Sequence, residues 1–266
     1  MKKTEIIDNL TNKNINFYEF FMNLQEEKLL SQIQKFDTDF ILSDDQLHKL
    51  ELYFDNLIAW NQKMNLTTIT EKENVYVKHF LDSYSLIQCV PRGTMESGLT
   101  LIDVGTGAGF PGLPLAIAFP NLNVTLADSL NKRIQFLNDT ISKLELKNVI
   151  CVHCRAEELA HQSQYREKYD FAVSRAVANL STLTEYCLPF VHKGGSFIAY
   201  KGTNTDDEVK QAQHAITILG GEVKQDISFT LPQTDLHRRL ILVKKEKPTP
   251  SIYPRKAGIP LKKPIR

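Results

Sequence analysis

The segment 99–111 constrains this chain more than any other. Leu99-Thr100-Leu101-Ile102-Asp103-Val104 is a short, mostly apolar run, and Gly105-Thr106-Gly107-Ala108-Gly109-Phe110-Pro111 follows it directly. The run reads as a buried parallel strand, and 113–119 reads as a helix. A strand that becomes a helix through three glycines makes a tight turn, and glycine also lets a ligand come close to the backbone. Pro111 suits the first turn of the helix.

The rest of the chain repeats this unit. Further strands are expected at 124–127, 149–154, 171–173, 196–200, 222–229 and 239–244. Helices are expected at 132–146, 180–190 and 206–219. The last two strands have no helix between them. The pattern predicts an α/β fold, a seven-stranded, mostly parallel, doubly wound sheet with helices on both faces and an antiparallel pair at its end.

Residues before this unit are patterned differently. One or two helices are expected in 1–42, where Phe17, Phe20, Phe21 and Leu24 have helical spacing. Ser43-Asp44-Asp45-Gln46 has the form of a capping box. The helix it opens carries the stripe Leu47, Leu50, Phe54, Leu57 and Ile58. Another helix is expected over 71–90. The division is therefore a helical region over 1–97, a ligand-binding domain over 98–246 and a C-terminal tail over 247–266.

Charge separates that tail from the rest. The 32 basic and 31 acidic side chains nearly cancel. Residues 238–266 nevertheless hold Arg238, Arg239, Lys244, Lys245, Lys247, Arg255, Lys256, Lys262, Lys263 and Arg266 against Glu246 alone. Pro248, Pro250, Pro254, Pro260 and Pro264 punctuate its last 19 residues, so neither helix nor central strand is expected in that end. It reads either as a solvated tail or as a nucleic-acid contact, since clustered cations neutralise phosphates. The hydrophobic share of 42% is enough for a real core. No stretch reaches the length of a membrane span, and the first residues lack the apolar core of a secretory signal. Four cysteines are too few for a disulfide scaffold, which points to a cytoplasmic protein.

The glycine turn narrows the ligand. A dinucleotide site needs G-x-G-x-x-G, and the third glycine position is occupied by Phe110. The observed D-x-G-x-G-x-G resembles motif I of the S-adenosylmethionine (SAM) methyltransferases. Asp128 ends the second strand, where a carboxylate can accept both ribose hydroxyls. Without a ligand the same residues would make a plain turn and a helix cap. Ala156-Glu157 follows the third strand, either facing an adenine edge or forming the acidic start of a helix. Arg175 ends the fourth strand, either clamping an anion in the crevice or pairing with a local acid. Cys151-Val152-His153-Cys154 has no second half-site, and its cysteines point to opposite faces of a strand, so no metal is expected. His79 and Asp82 lie one helical turn apart, as packing residues or at the crevice mouth.

Several motifs occur together in a recognisable order: Asn65-Leu66-Thr67, His79-Phe80-Leu81-Asp82-Ser83, the glycine turn, Asp128-Ser129-Leu130-Asn131-Lys132-Arg133, Ser174-Arg175-Ala176 and Tyr253-Pro254-Arg255-Lys256-Ala257-Gly258-Ile259-Pro260. Over about residues 43–266 the chain resembles the small-subunit ribosomal RNA methyltransferase G family, also called glucose-inhibited division protein B. The resemblance implies a Rossmann-like SAM-dependent enzyme that methylates N7 of a guanine in the decoding-region loop of 16S rRNA, releasing S-adenosyl-L-homocysteine. It implies that Gly105, Gly107, Gly109 and Phe110 touch the cofactor, that Asp128 takes the ribose and Ala156-Glu157 the adenine, and that Arg175 is the family's binding arginine. It assigns no catalytic side chain. The partner would be 16S rRNA, naked or in the 30S subunit, and the protein a monomer. The alternatives are a SAM enzyme acting on a small molecule or protein, and a non-catalytic RNA-binding relative.

Overall fold

The computed structural model describes residues 17–175, 178–202 and 206–266, the side chains of 17–23 and 206 excepted. Of the one or two helices expected in 1–42, one is present at Phe17–Ile33. Residues 1–16, the side chains of Phe17, Phe20 and Phe21, and Ala176 of the Ser174-Arg175-Ala176 motif lie outside what is described.

Seven strands form one sheet: β1 Thr100–Val104, β2 Asn123–Asp128, β3 Val149–His153, β4 Tyr169–Arg175, β5 Val191–Lys201, β6 Gly221–Thr230 and β7 His237–Lys245. Their order is β3-β2-β1-β4-β5-β7-β6, and β7 alone runs against its neighbours. The chain turns back between β1 and β4, which makes their carboxyl ends the switch point where doubly wound sheets bind ligands. The expected fold class is therefore present, and its topology brings Gly105, Asp128 and Arg175 to one crest.

Each sheet face has its own core. Leu101, Leu126, Val173 and Ile198 pack on one side with Leu113 and Phe136 of the helices Gly112–Ala118 and Asn131–Lys143. Ile102, Ala172 and Phe197 pack on the other with Leu183 and Ile216 of the helices Leu180–Cys187 and Asp206–Ile218. The N-terminal helices are continuous with the first core. Leu50, Tyr53 and Leu57 of the helix Asp44–Met64 are fully buried there. Its capping box forms as the spacing requires, with Ser43 N donating to Gln46 Oε1 at 2.8 Å and Gln46 N to Ser43 Oγ at 3.3 Å. Gln46 Nε2 also donates to the carbonyls of Ile117 and Ala118, each at 2.9 Å, at the end of the glycine-turn helix. Trp60 Nε1 donates to Asp139 at 2.7 Å, docking the far end of Asp44–Met64 on the helix Asn131–Lys143.

Three expectations need correction. The helix expected over 71–90 is broken: Lys72–Val75 runs into a π-helical turn, Tyr76–Leu81, and then into Asp82–Tyr84 and a 3-10 turn, Ser85–Gln88. The helix expected over 180–190 is α-helical only to Cys187 and finishes as a 3-10 turn, Leu188–Phe190, because Pro189 lacks the N–H that would continue the α-helix; β5 begins at Val191. The C-terminal segment, expected to hold no helix, makes one turn at Ile259–Lys262, with Pro260 in the first turn where its missing N–H costs nothing.

Candidate functional site

The glycine turn is tied to the end of β2, with Gly105 N and Thr106 N donating to Ala127 O at 2.9 and 3.2 Å. Gly105, Gly107 and Gly109 all have positive φ, but their surroundings differ. A Cβ on Gly107 would meet nothing within 4 Å, so the backbone there is open to a ligand. A Cβ on Gly109 would lie 2.6 Å from Leu113 Cδ1 and 2.7 Å from the Tyr53 hydroxyl. Gly109 lines neither cavity described below and serves packing. Tyr53 donates its hydroxyl to Ala108 O, which ties the N-terminal helix to the turn.

Asp103 lies beneath the turn and has no exposure. Its Oδ2 accepts from Thr106 Oγ1 at 2.7 Å and from Gly112 N at 2.8 Å, whereas Oδ1 has no partner. Burial pushes the carboxyl up to about 6 against these stabilising bonds.

Two cavities meet at Gly105, Asp128 and Ser129. The smaller, about 240 Å³, is walled by Val104, Ala127, Cys154, Ala156, Glu157, Tyr186 and Leu261. The larger, about 450 Å³, is walled by Leu66, Thr67, His79, Gly107, Phe110, Arg133 and Arg175. Asp128 therefore sits at the joint. Its Oδ1 accepts from Leu130 N at 2.9 Å, and its Oδ2 from Gly107 N at 3.0 Å and Arg133 Nη1 at 3.1 Å. A carboxylate has about four acceptor sites. The two backbone donors are fixed, whereas the Arg133 side chain is 38% exposed and can be displaced by a ligand hydroxyl.

Arg175 is held on the floor of the larger cavity. Its Nη1 donates to Lys78 O at 3.1 Å and Asp82 Oδ2 at 3.0 Å, and its Nη2 to His79 Nδ1 at 3.0 Å. The guanidinium also lies 5.1 Å from the centre of the Phe110 ring. Asp82 Oδ1 takes Arg238 Nε at 2.8 Å, so one buried carboxylate joins two strand ends. His79 stacks on Phe110 with ring centroids 4.3 Å apart. Burial, then the Arg175 charge, holds its imidazole down at about 3. The neutral ring accepts from Arg175 at Nδ1, which leaves Nε2 as donor to Thr67 Oγ1 at 3.2 Å. His79 and Asp82 thus meet at the crevice, and Arg175 has both the local acid pair and a place in the cavity wall.

Ala156 and Glu157 open the short helix Ala156–Leu159 and line the smaller cavity, as their position after β3 suggests. Glu157 Oε1 is already engaged by Gly258 N at 2.8 Å. Cys151 packs with one core and Cys154 with the other, on opposite sides of the sheet. Among the described residues no three His, Cys, Asp or Glu side chains converge as metal ligands.

The sequence reading missed Tyr53, Arg133, Tyr186 and Leu261. Tyr53 lies one turn beyond Leu50, so the helical stripe contained the signal. Arg133 closes the Asp128–Arg133 motif, whose pattern alone does not show it reaching back to Asp128. Tyr186 and Leu261 come to the cavity through long-range packing, which spacing does not encode.

Residues 46–237 match the family model described as rRNA small subunit methyltransferase G. The chain is 54% identical over 224 residues to Ribosomal RNA small subunit methyltransferase G of Lachnoclostridium phytofermentans, covering 84% of this chain and 91% of that protein. It is 51% identical over 241 residues to the protein of that name from Alkaliphilus metalliredigens, covering 91% of this chain and all of that one. Among solved structures, a SAM dependent methyltransferase from Aquifex aeolicus aligns over 67% of this chain and 96% of its own, at 16% identity and a TM-score of 0.49. With the family model covering most of the chain and identity near one half along its length, the chain belongs to the rRNA small subunit methyltransferase G family.

Proposed function

We propose that the chain transfers the methyl group of SAM to N7 of a guanine in 16S rRNA. The observation that carries the reading is the place of Asp128, a carboxylate at the joint of two cavities on the carboxyl ends of β1 and β2. The smaller cavity suits an adenosine. Its walls are mostly apolar, Ala156 and Glu157 stand at the adenine edge, and Asp128 can take the ribose once Arg133 moves aside. The larger cavity takes the methionyl end along Gly105 and Gly107, and the guanine beyond it.

Bound SAM supplies a methyl group on a positively charged sulfur. The chain's own residues align the acceptor. Guanine N7 carries an in-plane lone pair and loses no proton before attack, so no general base is required. Alignment supplies much of the acceleration. The Arg175–His79–Phe110 stack is rigid because each member is held on more than one side. All three line the larger cavity, where the base would lie. The guanidinium has three of its five N–H groups engaged among the described residues, which leaves two for a ligand carboxylate or phosphate. A guanine exposes N7 to such a site most readily in loop RNA.

The test is labelled-methyl transfer from SAM to 30S subunits and to deproteinised 16S rRNA, both from cells lacking this gene, followed by chain cleavage at N7-methylguanine. A single cleavage in the decoding-region loop is expected. The better of the two substrates reveals whether ribosomal proteins form part of the recognised surface. SAM binding without transfer to either would move the reading to a different acceptor.

A further inference from the structure

The smaller cavity has a wall that comes from the far end of the chain. Leu261 lines it, although this residue is more than a hundred positions from Asp128 and Ala156. It is 59% exposed, although the backbone around it is firmly held.

The holding is specific. Glu185 has no exposure, and it accepts from Arg255 N at 2.8 Å and Nε at 2.9 Å through Oε1, and from Arg255 Nη2 at 2.7 Å through Oε2. The same Nη2 donates to Lys263 O at 2.8 Å, which closes the segment 255–263 into a loop. Thr182 Oγ1 donates to Pro260 O at 3.0 Å, and Gly258 N donates to Glu157 at 2.8 Å. Glu157 is therefore at once a wall of the cavity and an anchor of the loop. These contacts fix the backbone on both sides of Leu261 while leaving its side chain at the cavity mouth.

We infer that Leu261 is a cofactor-binding residue, a C-terminal wall that packs against the adenine of SAM. The inference rests on the reading of the smaller cavity as the adenosine site. An adenine entering that cavity covers the exposed Leu261 with its ring face, and the Glu185–Arg255 pair keeps the loop in place beforehand. The ordering of the wall is then complete before the ligand arrives, which favours affinity.

Calorimetry on the full-length chain tests it, with SAM and with 5′-methylthioadenosine, which keeps the adenosine and lacks the amino-acid end. Leu261→Ala is expected to weaken both ligands by the same factor, about five- to tenfold for loss of a partly covered leucine. Leu261→Met is expected to restore most of the affinity. The unfolding midpoint without ligand is expected to stay put, because the side chain is exposed in the free protein. Asp128→Ala serves as the reference, with a loss of about tenfold or more for a charged hydrogen bond. If Asp128→Ala weakens both ligands and Leu261→Ala changes neither, the wall is wrong and the cavity reading stands. If neither variant weakens binding, the cavity is not the adenosine site and both readings fall.

Discussion

Asp103 is the residue whose environment departs most from what its type prefers. It is sealed beneath the glycine turn with one oxygen bonded twice and the other unpartnered. Its charged form is disfavoured in the fold relative to the unfolded chain, because burial outweighs the two bonds. Between the ordinary value of 3.8 and the folded value of about 6, the folded state binds the proton more tightly. Its contribution is therefore fully present below the lower value and is lost as pH rises through the upper one. Asp103→Asn keeps an oxygen for Thr106 and Gly112 and removes the titration. Urea unfolding at pH 4 and pH 7 is expected to show the wild type losing stability relative to Asp103→Asn by up to about 3 kcal/mol. A difference that does not change with pH would mean that Asp103 is not the titrating group. The sequence put an acid two places before the first glycine and could not say this. An acid at a strand end reads equally well as a ligand contact, and only the packing of Gly112 and Thr106 over it reveals a buried strut.

At the scale of elements, legibility followed the range of the interaction. The strands and the first helical stripe were legible because period and burial agree locally, as did the capping box at Ser43. The broken stretch over 71–90 was not, because a π turn leaves no mark in a 3.6-residue pattern. That turn matters, since it carries His79 and precedes Asp82, which together hold Arg175. The charge and proline pattern marks the C-terminal segment as cationic, but it does not say which of those cations are buried. Among its basic residues, Arg238, Arg239, Lys245 and Arg255 are paired or bonded inside the fold. Lys245 is wholly buried, donating to Leu188 O at 2.8 Å, and burial draws its ammonium down to about 8. Removing 247–266 is therefore not the removal of a loose tail. It strips Arg255 from Glu185 and leaves an unpaired buried carboxylate, at a cost of about 3–5 kcal/mol. Thermal unfolding of the truncated chain is expected to drop by on the order of 10 °C. An unchanged midpoint would show that the Glu185–Arg255 pair contributes no net stability.

The whole molecule separates its cations into two sets, and the separation says how RNA affinity can be measured cleanly. Of the buried set, Lys245 donates to Thr249 and Arg255 to Glu185, which fixes the C-terminal loop, whereas Arg238 and Arg239 pair with Asp82 and Asp226 elsewhere in the fold. The exposed set, which includes Lys256, Lys262 and Lys263, lies on the same loop as Leu261 and therefore near the mouth of the smaller cavity. A phosphate backbone held by these lysines would lie beside the bound cofactor, and its contact would be electrostatic and indifferent to sequence. Substituting all three with Gln leaves Arg255, Gly258 and Pro260 untouched, so the loop and its wall remain. RNA affinity is expected to fall, and the slope of log affinity against log salt to become shallower by about 2 to 3, which is three lost phosphate contacts. SAM affinity in the absence of RNA is expected to be unchanged, because none of the three side chains lines the smaller cavity. An unaltered salt slope would mean that these lysines face solvent in the complex. The RNA would then reach the larger cavity from the side of Arg133.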